Sequence, residues 1–449
     1  MTDRIFNGIA IVALMALAFL AGSYAMLAKQ FPYQGLHDAY RAAKALIDQH
    51  RELGSAHTTN LWQPARTAQR GVTMAQRDRA QPGYTLYTSG HMQAAYLIDL
   101  DGRQVHQWKM PYSAVWDESA APRQPVPDER TYFRKVHLYP NGDLLAIYDG
   151  IGDTPHGYGL IKIDKDSRVI WKYLDHVHHD LAVAPDGRIF VLTHEITHDP
   201  IPERESLPPP RIDDFIVELS PDGQPLRKLR LIDALRQGDF MRLLDALPGY
   251  LAESGDYLHT NDVEFVDAET AAKFPFLRAG QLVLSMREPG ALVALDMDSG
   301  TITWGIRGPW VGQHDPDLLA NGHILLFDNN GQYEGMHKGS GRSQVIEFDP
   351  QTGGVVWRYG GSADHPLESV IRSCQQRLAN GNTLITESDG GRLLEVDSAG
   401  DIVWEFVNPV RAGEADRLIP VVSSAQRVTP EALDPDFRQQ LEAEERSTS

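Results

Sequence analysis

The chain has 449 residues and a single cysteine, Cys374. That excludes an intrachain disulfide and any cysteine-built metal centre. The count fits a reducing compartment and equally an exported protein that does without disulfides. Positive charge is scarce too: 42 Lys and Arg stand against 61 Asp and Glu, for a formal net charge of −19. A surface of that sign repels nucleic acid and anionic headgroups, so DNA and RNA are excluded as partners. A small anionic substrate is not excluded, because a local cluster of His and Arg can reverse the field inside one pocket. No glycine-rich phosphate loop precedes a helix, which argues against kinases and against nucleotide-dependent group transfer.

One apolar run stands out. Ile5 to Ala28 carries no charge, long enough to cross a hydrocarbon core, which needs roughly 20 residues. Residues 1–30 are expected to form a transmembrane signal anchor with the bulk of the chain outside, in the periplasm if the membrane is a bacterial inner one. Ser23-Tyr24-Ala25 offers cleavage as the alternative. Residues 31–82 read as a spacer. Apolar residues at helical spacing from Leu36 to Gln49 predict a short amphipathic helix. The polar stretch from Gly54 to Gln81 is expected to wrap the domain or serve as a stalk.

From Gly83 the chain repeats. One element is a strand ending in Asp, a Gly turn and a strand ending in Trp: Tyr96-Leu-Ile-Asp-Leu-Asp-Gly102 with Val105-His-Gln-Trp108, then copies ending at Trp171, Trp304, Trp357 and Trp404, and a degenerate one at Phe215–Leu229. A second element is a turn pair followed by an apolar strand, as at Asn141-Gly142, Asp186-Gly187, Ala279-Gly280, Asn321-Gly322 and Asn380-Gly381. Such pairs favour the positive φ of tight hairpins. Each unit is an antiparallel meander that cannot bury both faces alone, and packing the units around an axis solves this. The expectation is an all-β, six-bladed β-propeller over residues 83–430, with the Trp residues filling space between blades. Blade one lacks an innermost strand, and the segment near Arg417–Ser424 is expected to close the ring. Residues 431–449 read as a polar, solvated tail.

The innermost strand of a propeller blade lines the central channel, just upstream of each turn pair. Those positions hold His178-His179-Asp180 in blade three, His259-Thr-Asn261-Asp262 in blade four, Gln313-His314-Asp315 in blade five and Ser373-Cys374 in blade six. Ser285-Met-Arg287-Glu288 adds a guanidinium at the end of the second strand of blade four. A lone channel histidine is more often a structural tie between loops. Repeated His-Asp pairs with an Arg nearby are harder to explain as packing.

His-Asp before an Asp-Gly turn, His-x-Asn in the next blade, Ser-x-Arg-Glu after it and then Gly-Gln-His-Asp resemble the arylsulfotransferases, the bacterial sulfotransferases that use no nucleotide donor. Ser423-Ser424-Ala-Gln-Arg427 resembles that family's closing segment. The resemblance implies transfer of a sulfuryl group from an aryl sulfate to a phenol through a sulfohistidine, with ping-pong kinetics and no metal or organic cofactor. It implies His314 as nucleophile, with His179, His259 and Arg287 around the sulfuryl group. His178 is the fallback for His179 and, with Asn261 and Asp315, a substrate-binding candidate. A homodimer is compatible with it. A neutral imidazole is a competent nucleophile near pH 7, and the charge on three equatorial oxygens calls for fixed donors. Unlike better-known relatives, the chain has no cysteine pair and no separate N-terminal β domain.

Two rival readings have their own residues. Asp296-Met-Asp-Ser-Gly300 with Trp304 and Asp349-Pro-Gln-Thr-Gly353 with Trp357 resemble quinone-cofactor dehydrogenase repeats, and a noncatalytic envelope scaffold is the other alternative. His194-Glu195-Ile-Thr-His198 spells a zinc-protease signature, but that chemistry needs a helix, and here the motif follows the strand Arg188–Leu192.

Overall fold

The structure, a computed structural model, describes residues 2–28, 30–33, 35, 57, 59–202, 204–247, 255–330 and 343–448. The chain divides into two units, Met1–Thr58 and Thr59–Ser449. In the first, Thr2–Leu27 is one α-helix of 26 residues. At 1.5 Å per residue it is about 39 Å long, against about 30 Å of hydrocarbon. Ala10–Leu27 is apolar enough to span a membrane. The amphipathic helix expected over 36–49 lies outside the described residues.

The second unit is a six-bladed β-propeller. Blades two to five are each four consecutive antiparallel strands, innermost first: Thr131–Leu138 to Val169–Tyr173, Val177–Val183 to Pro225–Arg230, Thr260–Phe265 to Thr301–Arg307, and His314–Leu318 to Val355–Tyr359. Blade six runs from Cys374–Arg377 to Ile402–Val407 and gains a fifth, outer strand from Gly71–Ala75. The ring closes in blade one, where Val422–Val428 supplies the innermost strand beside Tyr84–Ser89. Joining the two ends of the domain in one sheet removes the exposed edges that an open array would leave. The 59–82 segment wraps the domain: Trp62–Pro64 pairs with Leu418–Pro420. The end of the chain differs from its expected solvated form. Pro435–Thr448 is a helix, and its Phe437 and Leu441 are buried in the core between blades one and two. A polar composition hid two well-spaced apolar anchors.

The outer-strand tryptophans tie blade to blade. The indole N–H of Trp108 in blade one donates to Gly142 O of blade two at 2.9 Å, Trp171 to Pro221 O of blade three at 3.2 Å, Trp357 to Ser398 O of blade six at 3.1 Å, and Trp404 to Leu100 O of blade one at 3.0 Å. Each indole fills the inter-blade gap and satisfies a turn carbonyl. Trp304 instead stacks on Phe276, with ring centroids 4.2 Å apart.

Candidate active site

The innermost strands do not run straight into the channel. Five of them carry a register break near their first residues, between Phe133 and Lys135, His178 and Leu181, Thr260 and Asp262, His314 and Asp317, and Val422 and Ser424. A bulge bends the strand and re-aims a side chain. His179 and Asp315, inside two of these breaks, take positive φ at 56° and 53°, and His259 and Ser373, just before their strands, at 45° and 75°. Left-handed backbone at a non-glycine residue costs about 1–3 kcal/mol, so the surrounding sheets hold these residues there against their preference. All six blades meet at this level in a throat lined by Arg134, His179, Asn261, His314, Ser373 and Ser423.

His314 is buried in this throat. Its Nδ1 faces two oxygens, Asn329 Oδ1 at 2.7 Å and Gly312 O at 3.0 Å. Neither can donate, so Nδ1 carries the proton and the lone pair is on Nε2. Burial, then the Arg287 and Arg134 guanidinium charges, hold the ring well below the ordinary histidine range, so it is neutral at pH 7. His259 is set the opposite way. Burial lowers its proton affinity, but the Asp256 carboxylate, 2.5 Å from Nδ1, more than offsets this and the ring titrates above the ordinary value. The His179 ring lies 5.0 Å from that of His259, centroid to centroid. His178 sits behind it, with the two Nδ1 atoms 2.7 Å apart. Of the doubled histidines, His179 lines the throat and His178 is packed in the wall.

The other expected residues fall in two groups. Arg287 leads out of the second strand of blade four, its amide donating to His259 O at 3.2 Å and its guanidinium paired with Glu288 at 2.9 Å. Asn261 Nδ2 donates to Gln313 O at 2.7 Å, bracing the residue before His314. Asp315, in contrast, has its carboxylate turned to Lys135 Nζ at 2.9 Å and the Gln375 amide at 3.0 Å. Lys135 also reaches Asp180 at 3.1 Å. Burial alone would strip Lys135 of its proton, but these carboxylates keep it charged. The ion pairs separate the throat from a cavity of about 380 Å³ farther along the channel. Cys374 is buried, its thiol pushed up to about 12 by burial, so it is an inert packing group.

Several residues at the site escaped sequence reasoning. Arg134 donates to Ser423 Oγ at 3.0 Å. It stands at the same offset before Gly142 as His179 before Gly187 and His314 before Gly322, so blade register carried a usable signal. Arg372 reaches Asn60 Oδ1 at 2.9 Å and, more distantly, the Tyr132 hydroxyl at 3.4 Å. Asn329 and Asp256 lie in loops with no repeat signature, and only the fold brings them to His314 and His259. The zinc-protease spelling is a strand: Ile189–Thr197 carries His194 and Glu195, and Glu195 pairs with Lys228 at 2.6 Å.

Residues 135–409 match the family model of the arylsulfotransferases (ASST). The chain belongs to the arylsulfotransferase family. That membership supports a sulfotransferase-type function on small-molecule substrates. No curated protein matches the chain. Among solved structures, a Bacteroides caccae protein of unknown function is 14% identical, with 76% of this chain and 99% of that one covered at a TM-score of 0.45. The virginiamycin B lyase of Staphylococcus aureus, in an inactive form with quinupristin, is 10% identical over 64% of this chain and 73% of its own, with a TM-score of 0.35. The WD40 propeller domain of Doa1 is 10% identical over 81% and 97%, at 0.40. These three likenesses are too distant to carry any argument about the arylsulfotransferase site.

Proposed function

We propose that this arylsulfotransferase moves a sulfuryl group from an aryl sulfate to a phenolic acceptor through a sulfohistidine on His314. The supporting observation is the pairing of a neutral imidazole whose proton is pinned on Nδ1 with a second imidazole whose hold on its proton Asp256 strengthens. Two like groups driven to opposite protonation states mark a nucleophile and an acid. His314 Nε2 attacks sulfur while the S–O bond to the aryl group breaks. The departing phenolate oxygen takes the proton of His259. In the second half, neutral His259 accepts the acceptor's hydroxyl proton, and the phenolate oxygen attacks sulfur as the N–S bond breaks. Arg287, Arg134 and the His179 N–H are the donors for the sulfuryl oxygens, whose charge is stabilised by fixed dipoles in a dry site. Asn261 positions the His314 strand. The chemistry needs no group beyond these side chains. The N-terminal helix holds the enzyme at a membrane with the propeller in the periplasm.

The test is the full-length protein in detergent with a chromogenic aryl sulfate and a phenol. His314→Ala should abolish turnover, and brief exposure of the wild type to donor alone should leave an acid-labile sulfuryl adduct on His314 in intact-mass spectra. Absence of both turnover and adduct across a broad panel of donors would favour a noncatalytic scaffold, and quinone-dependent dye reduction would favour the dehydrogenase alternative.

A further inference from the structure

Behind His179 lies a second group of imidazoles that sulfuryl transfer does not use. One ligand nitrogen each from His156, His178 and His194 lies within 4.8 Å of the others. The three residues come from two blades. Gly157, next to His156, has no room for a side chain, since a Cβ there would lie 2.5 Å from Val177 O. That close approach presses blade two against blade three and sets the His156 ring 4.8 Å from His194 and 5.7 Å from His178. His178 and His194 stack at 4.3 Å.

The hydrogen bonding leaves this cluster incomplete. His178 is 1% exposed, and its Nε2 is buried without a partner. The nearest carboxylate oxygen, Asp214 Oδ1, is 3.8 Å away, too far for a hydrogen bond. His194 Nε2 receives only a long 3.4 Å approach from the Gly157 amide. A buried imidazole nitrogen without a partner is costly when left so. An ion bound at that nitrogen removes the cost.

We propose that His156, His178 and His194 bind one divalent transition-metal ion of the zinc class as three corners of a tetrahedral set. Three imidazoles, with the fourth position left to water, suit such an ion. Zn–N bonds of about 2.0–2.1 Å place ligand atoms about 3.4 Å apart in a tetrahedron, which small side-chain rotations reach from the present spacing. The site has a consequence for its neighbour. A metal on His178 Nε2 puts that ring's proton on Nδ1, which then donates across 2.7 Å to His179 Nδ1. The His179 proton is thereby confined to Nε2, where it is a hydrogen-bond donor. This last step rests on the sulfuryl-transfer reading, and the metal site does not. His194, half of a misleading protease signature, is a ligand through the fold and not through its motif.

The test uses full-length protein purified in detergent without a polyhistidine tag, stripped with chelator and dialysed against Zn²⁺ or Co²⁺. The wild type should retain about one ion per chain, and the Co²⁺ form should show the intense visible bands of tetrahedral coordination. His156→Ala and His194→Ala should each weaken binding more than tenfold, while His198→Ala should not. Substoichiometric metal in the wild type, or an octahedral Co²⁺ spectrum, would overturn the site without reference to any variant. Undiminished binding in a folded His156→Ala/His194→Ala protein would do the same. Metal is counted without substrate, so failure here is distinct from failure of sulfuryl transfer.

Discussion

Replacing Asp256 by Asn separates the acid of the proposed reaction from its nucleophile. The carboxylate lies 2.5 Å from His259 Nδ1 and is the group that keeps the ring protonated against burial. Asn preserves the shape and removes the charge. A charge-assisted hydrogen bond of this kind is worth about 1.5–3 kcal/mol, which at 1.36 kcal/mol per decade is about 10- to 150-fold. If His259 protonates the leaving phenolate, kcat for an unactivated phenyl sulfate should fall by that factor in Asp256→Asn. For a nitro-substituted donor, whose phenolate leaves without a proton, the loss should be less than about threefold. The dependence of rate on leaving-group basicity therefore steepens. The basic limb of the pH profile moves to lower pH, because His259 no longer holds its proton as well. The acidic limb, set by protonation of His314, stays in place. Initial rates over a series of substituted phenyl sulfates, each across pH, measure all of this. A loss equal for every leaving group, with an unmoved basic limb, would refute His259 as the acid.

Other residues give sharper structural readouts. Asn329→Leu removes the Oδ1 that pins His314 Nδ1–H and should cut kcat about 10- to 100-fold with a smaller change in KM; an unchanged kcat would show that Gly312 O alone sets the tautomer. Lys135→Met leaves Asp180 and Asp315 without their cation and should destabilise the fold by about 3–5 kcal/mol at neutral pH, measured by urea unfolding. That loss should shrink on acidification. Glu264 is pushed up to about 8 and Asp262 and Asp317 well above the ordinary range, by burial and then by neighbouring carboxylates. The folded state thus binds protons that the unfolded chain releases, and stability falls as pH rises from about 4 towards 8. Trp108→Phe deletes the donor to Gly142 O and strands a buried carbonyl, for about 1–3 kcal/mol, with activity unchanged in the surviving folded protein.

The blade count was legible because a propeller is written as local repetition. Turn pairs such as Asn321-Gly322 and strand-end residues such as Trp357 depend only on hairpin backbone and on the gap each blade must fill, so they recur at fixed spacing. The channel positions were legible for the same reason: His179 and His314 sit in equivalent register, and Arg134 could have been found by that rule. The C-terminal helix was not, because two buried side chains in a charged segment leave little trace in composition. What the chain determined by itself is therefore what one blade needs: strands, turns, ties and the residues offered to the axis. Only the closed ring decided protonation and partnership. His259 holds its proton more tightly because Asp256 folds against it, His314 is neutral because it is buried with two guanidinium charges near it, and Asp315 is occupied because Lys135 crosses the channel. Such electrostatics act between residues distant in sequence, over a few ångströms of buried space, and no spacing along the chain records them.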